Sequence, residues 1–217
     1  MYNTEIEQHK KELKLTQNQR EILVGLMLGD GHLETQNNGR TYRLKVEHST
    51  VQAKYTNWLY EQFNKWVLTS PQEKQKMVNS KSSTNIWFNT VSHACFRFYA
   101  QQFYSERKKV IPKMIYKLLG PQSLAVWFMD DGSIKSKEHK AIILNTQCFS
   151  NTDINRLRDT LMKNWEIESQ IRKQSEGNQL LLTGDSAIRF AKIIIPYLLP
   201  EFYYKLGKIG LTLLPKL

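Results

Sequence analysis

Leu23-Val24-Gly25-Leu26-Met27-Leu28-Gly29-Asp30-Gly31 and Leu124-Ala125-Val126-Trp127-Phe128-Met129-Asp130-Asp131-Gly132 are two versions of one phrase. Each reads as an apolar helical stretch that ends in Asp-Gly. Its side chains are too apolar and too small for a face turned to water. Gly25 and Gly29 stand one turn apart, on one side of the helix, and let another backbone approach closely. The natural neighbour is the second copy. Paired side by side, the two helices bring their C-terminal ends together, and with them Asp30 and Asp131. A single Asp-Gly commonly does no more than cap and turn a helix. Two of them, each closing the same apolar phrase, argue for a shared task.

The residues after each phrase also match, so the chain is an internal repeat. A polar segment leads to an alternating run, 42–48 in the first copy and 141–149 in the second, and such alternation predicts strands. Helices with an apolar face come next, near 51–67 and 152–165, beginning beside Ser49, Thr50, Asn151 and Thr152, which suit N-caps. Strand regions succeed them at 83–91 and 169–183, then helices near 93–104 and 185–198. Val110-Ile111-Pro112-Lys113-Met114-Ile115-Tyr116-Lys117-Leu118 mirrors Leu198-Leu199-Pro200-Glu201-Phe202-Tyr203-Tyr204-Lys205-Leu206. The chain thus divides into 1–119, with motif 23–31, and 120–217, with motif 124–132. The join around Gly120-Pro121 is short, which implies packed halves rather than tethered ones. Trp58, Trp66, Trp87, Trp127 and Trp165 fall at core positions and are assigned to packing.

The 217 residues carry a net charge of +11, with a pI of about 9.6. Such a surplus favours a polyanionic partner, nucleic acid first, because each cation beside a phosphate releases condensed counterions. No apolar run approaches the roughly 20 residues of a membrane helix, and no secretory signal is evident. Cys95 and Cys148 lack a partner at metal spacing and read as buried free thiols. Two adjacent carboxylates repel unless a cation sits between them. Mg²⁺ prefers oxygen ligands and keeps several waters. Asp30 and Asp131, with waters and a substrate phosphate, therefore make a sound phosphodiester hydrolysis site.

At these motifs, and from about Gln17 to Leu206, the sequence resembles the single-chain LAGLIDADG homing endonucleases, which carry two such motifs. The resemblance implies an α/β (α+β) fold of two pseudo-symmetric αββαββα halves, each with an antiparallel, saddle-shaped sheet that lies along DNA, packed through the motif helices. It implies an intron-encoded, site-specific endonuclease that cuts both strands across the minor groove and leaves 3′ overhangs. Asp30 and Asp131 become Mg²⁺ ligands, with Mn²⁺ as a substitute, and Gly29 and Asp130 lend backbone carbonyls. Lys109 and Lys205 become the basic residues near the metals, although the repeat itself aligns Lys205 with Lys117. Gln147 is the polar residue beside the scissile phosphates, and His48 stands at its repeat position or is an ordinary strand histidine. Val126 and Asp130 depart from the small residues expected at the helix interface.

The resemblance also implies a monomer on a long double-stranded DNA site, with host intron RNA as a second partner and no membrane. An RNA maturase or a non-cleaving DNA-binding protein is the alternative. Synthesis in a mitochondrion or other organelle is expected, with bacterial cytoplasm as the other setting. Strands in the major groove alternate between groove and core. Candidate DNA contacts are Gln36, Asn38, Arg40, Tyr42, Arg43, Lys45, Lys74, Lys76, Asn79 and Lys81 in the first half. The second half offers Lys135, Lys137, His139, Lys140, Asn145, Arg172, Lys173 and Gln174.

Overall fold

A computed structural model describes residues 2–78, 81–136 and 139–214. Asn79 and Lys137 of the expected DNA contacts lie outside the described residues, as does the side chain of Lys81. The first repeat runs through helices α1 (Tyr2–Glu12) and α2 (Gln17–Leu28), strands β1 (His32–Glu34) and β2 (Arg43–Ser49), helix α3 (Ala53–Gln62), strands β3 (Gln72–Val78) and β4 (Lys81–Asn89), and helix α4 (Arg97–Phe103). The two-residue strands β5 (Tyr104–Ser105) and β6 (Lys108–Lys109) and the short helix α5 (Ile115–Leu118) lead to the second repeat. That repeat comprises α6 (Pro121–Asp131), β7 (Gly132–Ile134), β8 (Ala141–Leu144), α7 (Asn151–Trp165), β9 (Gln170–Gln174), β10 (Gly177–Thr183) and α8 (Gly184–Ile194), with α9 (Gly207–Leu213) after it. From α2 and from α6 alike, the order is αββαββα.

The chain groups into two compact units: residues 1–20 with 30–101, and residues 21–29 with 102–217. These units do not coincide with the expected division at 119/120. The first motif segment, Glu21–Gly29, groups with the later unit because its apolar residues share a core with α6.

In the earlier unit, β1, β2, β4 and β3 form an antiparallel sheet in that order. Burial alternates along β2: Leu44, Val46 and His48 turn inward, while Arg43, Lys45 and Glu47 are half-buried on the other face. The inward face packs on α3, whose Tyr55 and Leu59 are buried, as are Phe63 and Trp66 just after it. Ser49 opens the helical turn before α3 by accepting from the Val51 N–H at 3.4 Å.

In the later unit the sheet order is β7, β8, β10, β9, the same pattern. Helices α7 and α8 pack on β10, and Phe128 of α6 meets Phe190 of α8 edge-on at 5.8 Å. The cap of α7 is Ser150, one residue before the expected Asn151, and it accepts from the Asp153 N–H at 3.2 Å. Among the described residues, no helix is long and apolar enough to cross a membrane.

Candidate active site

Inside the later unit the Glu21–Gly29 segment lies along α6, and the contacts pair repeat-equivalent positions. Glu21 Oε2 accepts from the Gln122 N–H at 3.2 Å. A Cβ on Gly25 would stand 2.6 Å from Val126 Cβ and 2.6 Å from the Ser123 carbonyl oxygen. A Cβ on Gly29 would fall on the Asp130 side chain. Positions 21, 25 and 29 thus face 122, 126 and 130, each 101 residues on, as an isologous contact requires. The expected mismatch at Val126 and Asp130 is resolved across this contact. Each larger residue of α6 sits against a glycine, so volume is shared rather than doubled.

Two lysines close the ends of the paired helices. Lys109 Nζ donates to the Gly29 carbonyl at 2.5 Å. Lys205 Nζ donates to the carbonyls of Met129 at 2.6 Å and Asp130 at 3.3 Å. Cations are favoured here, because the last carbonyls of a helix carry the negative end of its dipole. Lys117 is elsewhere: exposed, with its Nζ 5.6 Å from the ring centre of Tyr116. Of the two lysines open to the sequence, Lys109 is the one at a motif end. Asp130 turns its carboxyl toward Gly29, and Asp131 comes next, half-buried. Cys148, expected to be buried, is exposed.

In the earlier unit, exposed Asp30 and buried His48 offer ligand atoms within 4.8 Å of each other. His48 Nδ1 is 2.9 Å from Thr56 Oγ1, and that hydroxyl donates to the Gln52 carbonyl at 3.4 Å. The Thr56 hydroxyl thus holds the Nδ1 side of the ring. Burial pushes the pKa of His48 down, against the pull of the Asp30 and Glu47 charges, so the ring stays neutral near pH 7.

The strand register revises the expected equivalence of His48 and Gln147. Lys45 pairs with His32, and Ile143 with Ser133. The Asn145 N–H donates to the Asp131 carbonyl, continuing that register. Counted on, Thr146 takes the place of His48, and Gln147 that of Ser49. The segment between the first two strands is shorter in the second copy, which shifts the correspondence.

On the outer face of the earlier sheet, Glu47 accepts from Lys74 Nζ at 2.7 Å and from Asn85 Nδ2 at 2.8 Å, with Lys45 Nζ 3.6 Å away. Burial raises its pKa, but the hydrogen bonds and the two lysine charges outweigh that and bring it down to about 2. A depressed carboxylate pKa adds stability that is full above the unfolded value and lost as pH falls through the folded one. The melting temperature is therefore expected to fall between pH 4.5 and about 2, and Glu47→Gln to flatten that part of the profile. Calorimetry of both proteins across this range checks it; parallel profiles would contradict the pairing.

The later sheet carries a neutral counterpart: Gln179 Nε2 donates to Asn145 Oδ1 at 2.7 Å, and Arg172 Nη1 to Gln179 Oε1 at 3.3 Å. Arg43 pairs with Glu34 at 2.6 Å, and the Arg40 carbonyl holds the guanidinium of Arg97. Gln36, Asn38, Arg40, Lys76, Lys135, Lys140 and Gln174 are exposed, Tyr42 is half-buried, and exposed His139 lies 2.7 Å from Ser136 Oγ. Lys173 pairs with Asn178, whose amide turns to Asn151 at the start of α7. Alternation therefore puts Lys173 on the face opposite Arg172 and Gln174. Glu47, Asn85 and Gln179 were not singled out from the sequence, where acids and amides look like ordinary solvated residues. Trp87 was assigned to the core, yet it lies half-buried on the outer face, between buried Ile86 and Phe88.

A family model described as LAGLIDADG DNA endonuclease matches residues 20–190. The chain is 26% identical over 211 residues to DNA endonuclease I-ChuI of Chlamydomonas applanata, covering 90% of this chain and 97% of that one. It is 30% identical over 206 residues to the cytochrome b mRNA maturase bI2 of Saccharomyces cerevisiae, covering 89% of this chain and about half, 48%, of the maturase. The fold is similar to that of the homing endonuclease I-WcaI bound to its DNA recognition sequence, with a TM-score of 0.87 at 24% identity over 93% of this chain and 91% of that one.

Proposed function

We infer the reaction from a chain that belongs to the LAGLIDADG DNA endonuclease family: this protein is a site-specific endonuclease that binds a long duplex as a monomer and hydrolyses one phosphodiester on each strand. The observation that carries the reading is the paired ends of the motif helices, with Gly29 against Asp130 and a lysine on each end. Asp30 and Asp131 come one residue later in each copy. We assign them as carboxylate ligands of a divalent cation, with the Gly29 and Asp130 carbonyls as further oxygen donors. The donor set fits: every member is a hard oxygen, as Mg²⁺ or Mn²⁺ prefers. When bound, such an ion supplies Lewis acidity toward the phosphodiester and lowers the pKa of water.

The remaining work falls to the chain. Lys109 and Lys205 stabilise the negative charge that grows on the phosphate oxygens. Neutral His48 shares a hydrogen bond through Nε2 with water near Asp30, and Gln147 orients water on the other strand. The basic outer faces neutralise phosphates on both sides of the cut. The two centres carry different polar residues, so the strands are cut at unequal rates and a nicked intermediate accumulates.

Lys109→Met and Lys205→Met are each expected to slow cutting by roughly 100-fold, in line with loss of one charge-stabilising donor. Lys117→Met leaves the rate within about twofold, as for an exposed side chain away from the site. Timed digestion of a supercoiled plasmid carrying a site selected from a randomised duplex pool measures all three and reveals the nick. Equal loss in Lys117→Met would overturn the lysine assignment. Tight binding of host intron RNA without cutting would favour the maturase reading instead.

A further inference from the structure

We propose that Trp87 is a specificity-determining residue that reads the 5-methyl group of a thymine in the major groove. The proposal rests on the endonuclease reading. β4 is an interior strand, and Trp87 pairs with Glu47 on one side and Gln72 on the other. Its neighbours in sequence, Ile86 and Phe88, point into the core and are 7% and 2% exposed. Alternation therefore leaves the indole on the outer face, among Lys45, Glu47, Gln72, Lys74 and Asn85. A large aromatic in a polar row contributes little to the core and leaves apolar area wet.

The fold does not require an aromatic there. Val46 pairs with Phe88 as Leu144 pairs with Leu180. By the same register Trp87 corresponds to Gln179, so the second copy of the sheet is built with an amide at this place.

The surroundings also hold the ring in position. Lys74 Nζ lies 5.7 Å from the ring centre and is fixed by Glu47 at 2.7 Å. A cation over an aromatic face restricts the ring while leaving its edge open. Polar groups on the floor of the major groove are served by the amide, carboxylate and basic side chains around it. The thymine methyl is the groove's apolar feature, and it is the one an indole complements.

The test selects duplexes bound by the full chain from a randomised pool in Ca²⁺, so that it does not depend on cutting. Wild type is expected to recover a thymine preference at one position that Trp87→Gln loses. The variant installs the residue that the other sheet carries at the equivalent position. At that position, replacing thymine by uracil removes only the methyl and is expected to weaken wild-type binding about fourfold, the value of one buried carbon. The same replacement leaves Trp87→Gln unchanged. Two results would overturn the proposal: a recovered site in which no uracil replacement weakens wild type, or a Trp87→Gln protein that keeps the same preference. Both leave the endonuclease reading standing. Recovery of no specific sequence at all would remove that reading and this inference with it. The uracil measurement on wild type needs no variant, so a poorly folded Trp87→Gln would not spare the proposal.

Discussion

Asp30→Asn and Asp131→Asn are each expected to lower the single-turnover rate of double-strand cleavage by more than about 100-fold. Changing a residue that merely orients a metal ligand costs roughly 10–100-fold in affinity or activity, and losing a ligand's charge costs more. Asn keeps the shape of Asp, so folding and the helix ends are preserved. Asp130→Asn is the informative contrast. The carboxyl of Asp130 lies toward Gly29, and its side chain fills space that a Cβ on Gly29 would need. An isosteric amide keeps that packing, so the rate should stay within about tenfold, the lower bound for a supporting residue. If Asp130→Asn lost as much as Asp131→Asn, the second ligand would be misassigned.

Gly25→Ala is expected to force the paired motif helices apart. The added carbon would stand 2.6 Å from a backbone oxygen, that of Ser123, and 2.6 Å from Val126 Cβ. Neither is the end of a flexible side chain, so the helices must separate. Overpacking of this kind costs about 1–3 kcal/mol, which lowers the melting temperature by roughly 2–4 °C for each kcal/mol in a protein of this size. Val126→Gly removes one of the two obstacles, because glycine alone lacks the Cβ that a methyl on Gly25 would meet. In the Gly25→Ala/Val126→Gly protein the two effects should therefore couple favourably, the loss falling short of the sum of the two single variants and keeping the share that the Ser123 carbonyl imposes. Strict additivity of the two single variants would mean that positions 25 and 126 do not face each other.

The motif helices were legible because the repeat states them twice, whereas the αββαββα order was implied by the family resemblance. Apolar stretches ending in Asp-Gly, and strands with clear alternation such as β2, need no tertiary information. β3 is not legible in the sequence, because Gln72-Glu73-Lys74-Gln75-Lys76 is polar on both faces and has no period-two signal. Trp87 was misplaced for the opposite reason. Ile86-Trp87-Phe88 is apolar throughout, and only the pairing of β4 with β2 shows which member turns outward. The equivalence of His48 with Gln147 failed because the two copies differ in length before their second strands, and the shift becomes visible only in the ladder. The grouping of Glu21–Gly29 with residues 102–217 could not be read from chain order, because the core that it enters is made by its distant twin. The glycines at 25 and 29 were recognised as contact points, but the residues they accommodate, Val126 and Asp130, looked in the sequence like a defect.

The most direct measurement is cleavage of the selected duplex by the wild-type chain, with and without Mg²⁺, and mapping of both cut positions. We predict two cuts offset across the minor groove with 3′ overhangs, no cutting in EDTA, and loss of both cuts in Asp30→Asn and in Asp131→Asn. Full cutting in EDTA, or in either asparagine variant, would contradict the account.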